Sequence, residues 1–401
     1  MPKEKILVLT HNFIRFKEDL AGQFIYTLMK ELTPDYEIFV LAPHQKGLRE
    51  YEEIDDLKIY RFRYSFSRFE NLAYRGDMHE QVLHHFSSKV LFIFFLGAFF
   101  FYTLRIIKKN KIKLIHCHWW MPAGVVGYLA TFFSPVKTIL TTHGSDVFIL
   151  RKFRRALPLA SLIFKRAAFS TAVSSYLKHL LSKELKLEEE RIFVFSMPFD
   201  DKKFSPVKEK KVEKGSILSI GRLIQRKGYD YLLEACAKLK EEGLKFKLKI
   251  IGQGPEEGRL KKLANSLGLD ENVDFISNLP QNQLVYYYNN CEIFVLPSIT
   301  DWKMEAEGLG LVLLEAMSCK VPVIGTQSGG IVDIVQNEKT GLLVPEKDSV
   351  ALALAIKRYL LDPSLENRMA EEGYRFAQKN YTASSIAKKL KSIYQRVEKS
   401  F

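Results

Sequence analysis

Short apolar runs recur along this chain, each followed by a loop and then by a longer amphipathic stretch, and that alternation leaves few folds open. Residues 5–10 are such a run. A polar loop and Ala21, Gly22 and Gln23 follow, and Phe24, Ile25, Leu28, Met29 and Leu32 then repeat at helical spacing. Comparable runs lie at 37–42, 112–116, 138–142, 169–174, 192–196, 216–220, 246–251, 272–276, 292–296 and 321–325, and the pattern after Val350 is helical to the end. Strands of this length separated by helices form parallel sheets with helices on both faces. Ligands of such sheets gather in the loops beyond the strands' C-terminal ends, so those loops are where chemistry is expected.

A chain of 401 residues exceeds one ordinary core. The charged segment 200–214, with Pro206, reads as a linker. The expected organisation is an N-terminal Rossmann-like domain over 1–205, a second over 206–382, and a C-terminal helix over 383–401 that can return to the first domain. The net charge of +14 spreads over both halves, with 29 Lys and Arg against 20 Asp and Glu in residues 1–200 and 31 against 26 beyond. Such an excess suits an anionic membrane face, an anionic acceptor or a solvated surface. There is no aromatic-basic motif of a nucleic-acid module, and no nucleic-acid partner is expected. Cys117, Cys236, Cys291 and Cys319 are far apart, which favours free thiols in a reducing cytoplasm. The N-terminal MPKEKILVLT enters a strand without a signal peptide.

Residues 305–330, EAEGLGLVLLEAMSCKVPVIGTQSGG, carry the densest chemistry. Positions 311–317 are apolar except for Glu315, so a helix there is buried on most sides and its carboxylate needs a partner. Gly308 and Gly310 let backbone approach a ligand where this helix starts, and free N–H groups at such a start favour an anion. Glu307 precedes the glycine pair. Two acids bracketing an anion-seeking helix start suit a sugar nucleotide, whose hydroxyls flank a phosphate; a helix with one structural Glu is the alternative.

Residues 90–104, VLFIFFLGAFFFYTL, are the most apolar segment, and fifteen residues are fewer than the roughly 20 a spanning helix needs. The segment is expected either to pack inside the N-terminal domain or to lie on a membrane as well, which its aromatics and the following RIIKKNKIK favour. His116 and His118 alternate as strand residues with no third metal ligand nearby. His143 ends the strand 138–142 and is followed by Gly144, an open position suited to touching substrate, unless Ser145 or Asp146 simply caps the next helix. Arg222 and Lys227 flank the loop after the strand 216–220 and can neutralise a diphosphate without metal, though isolated residues of this kind are commonly surface charges. The glycines of GQGPEEGRL do not fit the dinucleotide fingerprint, which argues against nicotinamide binding.

Taken in order, the Ala-Gly-Gln loop at 21–23, HCHWWMPAG, THGSDV at 142–147, GRLIQRKG at 221–228, IGQGPEEGRL at 251–260, LPS at 296–298, EGLGLVLLEAM at 307–317 and PVIGTQSGG at 322–330 resemble the glycosyltransferase family 4 group. The resemblance spans nearly the whole chain. It implies a GT-B fold, two facing Rossmann-like domains with a cleft between them, and a retaining enzyme that uses a nucleotide diphosphate sugar. It assigns Arg222 and Lys227 to the donor diphosphate, Glu315 to the ribose hydroxyls and Glu307 to those of the donor sugar. The amides near Gly310 and Leu311 would meet the phosphate, Gly22 would give it room from the other domain, and His143 would touch the donor sugar. The approach ITDWKMEA offers Glu305 as a second acid, and Glu307 is preferred because Gly308 follows it. The family's Asn-Gly-Val-Asp stands here as SMPFD at 196–200.

The expected activity is therefore transfer of a hexose-type unit to a glycan or lipid-linked glycan in cell-surface polysaccharide or lipopolysaccharide synthesis. The expected setting is cytoplasmic, with the inner membrane surface as an option. No Asp-x-Asp occurs, and neither cofactor nor metal is expected. A sugar-nucleotide epimerase or hydrolase on the same scaffold, and a non-catalytic sugar-nucleotide or lipid binding protein, are the rival readings.

Overall fold

The computed structural model describes residues 3–17, 19, 21–74, 78–209 and 211–399. The chain divides into two compact units. The first takes the chain up to Val173, Leu177–Met197 and the stretch from Ile386 on; the second takes Ser174–Tyr176 and Pro198–Ser385.

The first unit holds strands β1 (Glu4–Leu9), β2 (Tyr36–Pro43), β3 (Tyr51–Ile54), β4 (Leu57–Phe62), β5 (Leu114–His118), β6 (Lys137–Thr142), β7 (Phe169–Ala172) and β8 (Ile192–Val194). They form one sheet in the order β3-β4-β2-β1-β5-β6-β7-β8, parallel throughout except for β3. Ile6 to Leu9 and Ile38 to Leu41 are fully or almost fully buried, as strands covered on both faces must be. The helices are α1 (Gln23–Lys30), α2 (Met78–His84), α3 (Phe86–Asn110), α4 (Val125–Phe133), α5 (Ser145–Lys152), α6 (Leu157–Arg166) and α7 (Ser175–Leu185).

The second unit holds β9 (Ser216–Ile220), β10 (Lys247–Ile251), β11 (Val273–Ile276), β12 (Ile293–Leu296), β13 (Val323–Thr326) and β14 (Leu342–Val344), all parallel, in the order β11-β10-β9-β12-β13-β14. Its helices are α8 (Tyr229–Glu241), α9 (Glu257–Ser266), α10 (Gln281–Asn290), α11 (Leu311–Ser318), α12 (Ile331–Ile334), α13 (Ser349–Leu361) and α14 (Pro363–Tyr381). Leu232, Leu233 and Cys236 of α8 and Ile356 and Tyr359 of α13 share one core with Leu248, Ile250, Ile293 and Val295 of the sheet. The last helix, α15 (Ala383–Glu398), sends the Tyr394 hydroxyl 2.8 Å from His116 Nδ1, in the core of the first unit. All four cysteines are buried, and none is in a disulfide.

This topology locates the sites. In a doubly wound sheet the connections leave in opposite directions at one point, and a crevice opens there beyond the strand ends. That point lies between β1 and β5 in the first sheet and between β9 and β12 in the second.

One expectation needs correction. The apolar helix is α3, with 25 residues instead of fifteen, and by length and composition it could cross a membrane. The apolar run read from the sequence is only its middle, because Lys89 and Arg105, which bound that run, lie inside the helix, and Lys108 and Lys109 in its last turn complement the C-terminal dipole. One face is nonetheless fixed in the core: Phe95 and Phe99 are fully buried, and Phe99 stacks on Phe62 with ring centroids 4.5 Å apart.

Candidate functional site

At the switch point of the second sheet, β9 runs into the loop 221–228 and β12 into 297–310. Lys227 Nζ lies 2.7 Å from Glu307 Oε2, and Ser298 Oγ donates to the same oxygen at 3.0 Å. Burial pushes the Glu307 carboxyl up, but Lys227, Arg226 and Ser298 outweigh it and hold it below the ordinary carboxylate value. A parallel pair sits beside it, Arg226 Nη1 to Glu305 Oε2 at 2.7 Å. Both pairs are mostly shielded from water, so they are screened less than surface ion pairs. Arg222 is exposed in the same loop.

Helix α11 begins just past Glu307. Gly310 has φ 94°, a left-handed conformation that glycine adopts without strain, and no side chain caps the helix start. The first amides of a helix lack intrahelical partners, so the backbone at Gly310 and Leu311 can receive an anion. Gly308 is held from behind by the loop after β13, where Gly330 N–H donates to Glu307 O at 2.8 Å. Within α11, Leu313, Leu314, Ala316 and Met317 are fully buried, and the partner Glu315 needs is the Tyr288 hydroxyl, which donates to Oε2 at 2.7 Å. Burial raises Glu315 to about 7, with Asp200 adding to the rise against Tyr288 and Lys203.

The switch point of the first sheet is built differently. Beyond β1, β5 and β6 come His11, Trp119 and His143, and His143 lies with its ring centroid 4.3 Å from Trp119 and 5.2 Å from Phe24 of α1. His118 Nδ1 and His143 Nε2 are 3.0 Å apart, a distance at which one N–H is shared and two would repel. Burial first, and then the neighbouring imidazoles, lower His118 and His143 well below the usual histidine value, so both are neutral near pH 7. His116 spends both ring nitrogens on Tyr394 and Thr141, each at 2.8 Å.

Asp146 accepts the N–H groups of Trp120, His143 and Gly144, each at 3.1 Å. Asp146 thus ties down the loop ahead of α5 and fixes the backbone of His143, although no side chain caps α5 itself. Burial raises Asp146 to about 6. Gly22, at φ 64°, opens α1, and a Cβ there would stand 2.4 Å from Asn12 O. Beside these residues lies a cavity of about 540 Å³, walled by Leu72, Val82, Leu83, Phe92 and Trp119, with His11 and Asn12 among its polar atoms.

Of the residues read from the sequence, Lys227, Glu307, Gly308, Gly310, Leu311 and Glu315 cluster around one loop and one helix start, with Arg222 in that loop; His143 and Gly22 belong to the other switch point. Arg226, Ser298, Tyr288, His11 and Trp119 were not singled out, while His118 was read only as half of a strand pair and Asp146 only as a helix cap. Glu305 was noted as a second acid, but its pairing with Arg226 spans 79 positions and has no local signal.

Two family models match: the one described as Glycosyltransferase Family 4 over residues 21–203, and the one described as Glycosyl transferases group 1 over residues 200–376. A relative from Escherichia coli strain K12, named for colanic acid biosynthesis, is 32% identical over 235 residues, 58% of each chain. A GDP-mannose-dependent alpha-(1-6)-phosphatidylinositol monomannoside mannosyltransferase of Mycolicibacterium smegmatis is 25% identical over 389 residues, 94% of each chain. Among solved structures, Anabaena HepE in complex with UDP and glucose superposes with a TM-score of 0.73 at 17% identity, covering 98% of this chain and 100% of HepE. The fold, two parallel-rich α/β sheets, is GT-B.

Proposed function

This chain is a member of the group 1, family 4 glycosyltransferases, and from that premise we propose that it moves a hexose-type sugar from a nucleotide diphosphate sugar to a glycan or lipid-linked glycan, with retention and without metal, in cell-surface polysaccharide synthesis. The observation that carries the donor half is the Lys227–Glu307 pair, 2.7 Å long, at the switch point beside the uncapped start of α11. A diphosphate entering there competes with the Glu307 carboxylate for Lys227. Once displaced, Glu307 accepts hydrogen bonds from the donor sugar's hydroxyls, while Glu315, beside Tyr288, accepts from the ribose. Arg222, Lys227 and the α11 amides supply the positive charge that a divalent ion would otherwise bring to the leaving group.

In the chemical step the bond from the anomeric carbon to the diphosphate oxygen breaks and the bond to the acceptor oxygen forms on the same face. The acceptor's proton passes to the departing phosphate. A neutral His143 holds a sugar hydroxyl and carries no proton across, as its imidazole stays uncharged near pH 7. The Mycolicibacterium relative is named for GDP-mannose and a lipid acceptor, and HepE was solved with UDP and glucose, so the relatives support a nucleoside diphosphate donor and leave its base open. We place the reaction in the cytoplasm.

The test is incubation of purified protein with UDP- and GDP-sugars, with EDTA, with and without a lipid-linked glycan extract. Transfer to the extract with the anomeric configuration kept supports the reading. Release of free sugar, or of an epimer, without acceptor favours the hydrolase or epimerase alternative.

A further inference from the structure

Helix α3 turns two unlike faces outward and inward. Inward lie Phe95, Phe99, Thr103 and Ile106, packed under β4 beside Phe62 and Tyr64. Outward, at helical spacing, lie Phe86, Val90, Ile93, Phe94, Gly97 and Phe101, and the large ones are strongly exposed, Ile93 at 69% and Phe94 at 62%. The same stripe then turns cationic at Arg105, Lys108 and Lys109. At 1.5 Å per residue it is about 30 Å long.

The stripe does not stand alone. Phe100 of α3 meets Phe133 of α4 at 5.5 Å, and the Arg166 guanidinium of α6 lies over Phe132 of α4 at 5.5 Å. Leu129, Phe132 and Phe133 of α4 and Leu162 of α6 are exposed, so the apolar surface continues over three helices. Patches of this extent on a folded unit mark an interaction surface.

Charge identifies what covers it. Residues 81–183 contain fifteen Lys and Arg and a single acid, Asp146, so the chain's whole excess of +14 comes from this quarter and the remainder balances. The excess is therefore not spread over the chain, as halving the sequence suggested. Asp146 is buried against backbone N–H groups, so this stretch of the chain exposes no carboxylate. Lys89, Arg105, Lys108, Lys109, Lys165 and Arg166 are exposed around the apolar helices.

We infer that α3, α4 and α6 form a docking surface for an anionic lipid bilayer, with α3 lying in the interface plane, its phenylalanines among the acyl chains and its C-terminal cations among the headgroups. Aromatic side chains inserted beside a basic rim are what anionic interfaces retain. A protein partner of ordinary mixed charge would leave these cations without acids. A spanning α3 would strip Phe95 and Phe99 from Phe62 and Tyr64 and open the core of the first unit. Phe92, on the same helix, also walls the 540 Å³ cavity, so docking brings that cavity next to the bilayer. The inference stands independently of the donor reading.

The test is co-sedimentation of the full chain with vesicles of phosphatidylcholine alone or mixed with phosphatidylglycerol, at low and high salt. Wild type is expected on the mixed vesicles about tenfold above the neutral ones, less so at high salt, and released by an alkaline carbonate wash. Phe94→Glu with Phe101→Glu, and separately Lys108→Gln with Lys109→Gln, should reduce binding while leaving the melting temperature and any nucleotide-induced shift in it unchanged. Equal binding by the variants, binding only to neutral vesicles, or none at all would overturn the inference. So would release only by detergent, the mark of a spanning helix, or a dimer in light scattering that the Phe94→Glu and Phe101→Glu variant dissociates.

Discussion

At the switch point of the second sheet, two cations meet two carboxylates at 2.7 Å, whereas at that of the first, imidazole, indole and phenyl rings lie 4.3–5.2 Å apart and the nearby carboxylate of Asp146 faces backbone N–H groups. The two sheets place a crevice by the same topological rule, so the difference lies in the side chains the loops carry into it. Ion pairs can be exchanged for a charged ligand at little net desolvation, because one anion replaces another on the same cation. Neutral rings cannot compensate a diphosphate, but they stack on sugar faces and hydrogen-bond hydroxyls without imposing charge. The second unit is thus suited to a charged ligand and the first to uncharged groups.

The comparison can be broken first at Lys227. Lys227→Ala removes the cation and strands Glu307 with one hydroxyl partner, so nucleoside diphosphate affinity should fall roughly 100-fold or more, as loss of a charged hydrogen-bonded partner does. Titration calorimetry with UDP and GDP measures this, and affinity within twofold of wild type would remove the diphosphate assignment. His143→Ala should do the reverse, lowering turnover by about 10- to 100-fold, the range of one lost positioning contact, while nucleotide affinity stays unchanged. Because that imidazole is neutral, the pH–rate profile of wild type should show no break from His143 between pH 6 and 8.

Asp146→Ala leaves three backbone N–H groups in the first crevice without their acceptor and should lower folding stability by roughly 1–3 kcal/mol in denaturant melts. Asp146→Asn, which keeps an acceptor oxygen, should lose less. The smallest effect is expected at Glu315. Its folded value, about 7, is above the unfolded one, so its contribution to stability is full below the unfolded value and is lost as pH rises through 7. Nucleotide affinity should move the other way, strengthening a few-fold from pH 6 to 8 as the carboxylate becomes able to accept both ribose hydroxyls. Glu315→Gln should flatten both trends, and an unchanged binding profile in that variant would separate Glu315 from the ribose.

Most of this architecture could be read from the chain, because doubly wound sheets write themselves as short apolar runs between amphipathic ones. The hairpin of β3 and β4 escaped that reading. Tyr51–Ile54 is a partly exposed edge strand carrying two glutamates, and its antiparallel pairing breaks the alternation of strand and helix. The three-residue β14 is too short to show a period. The glycines and acids around α11 were legible because backbone approach and a lone acid in an apolar run are local signals. The partners were not: Tyr288 reaches Glu315 across 27 positions and Lys227 reaches Glu307 across 80. The neutrality of His143 is equally non-local, since it depends first on burial and then on His116 and His11, of which the sequence offered His116 only as half of a strand pair and His11 not at all.

The central claim is that charge at the second switch point, and not the ring cluster at the first, holds the donor. Its most direct test is titration of wild type, Lys227→Ala and His143→Ala with UDP and GDP in EDTA. The account predicts that wild type and His143→Ala bind one nucleotide with equal affinity without divalent ions, while Lys227→Ala loses it. Binding that requires a divalent ion, or equal losses in both variants, would contradict it.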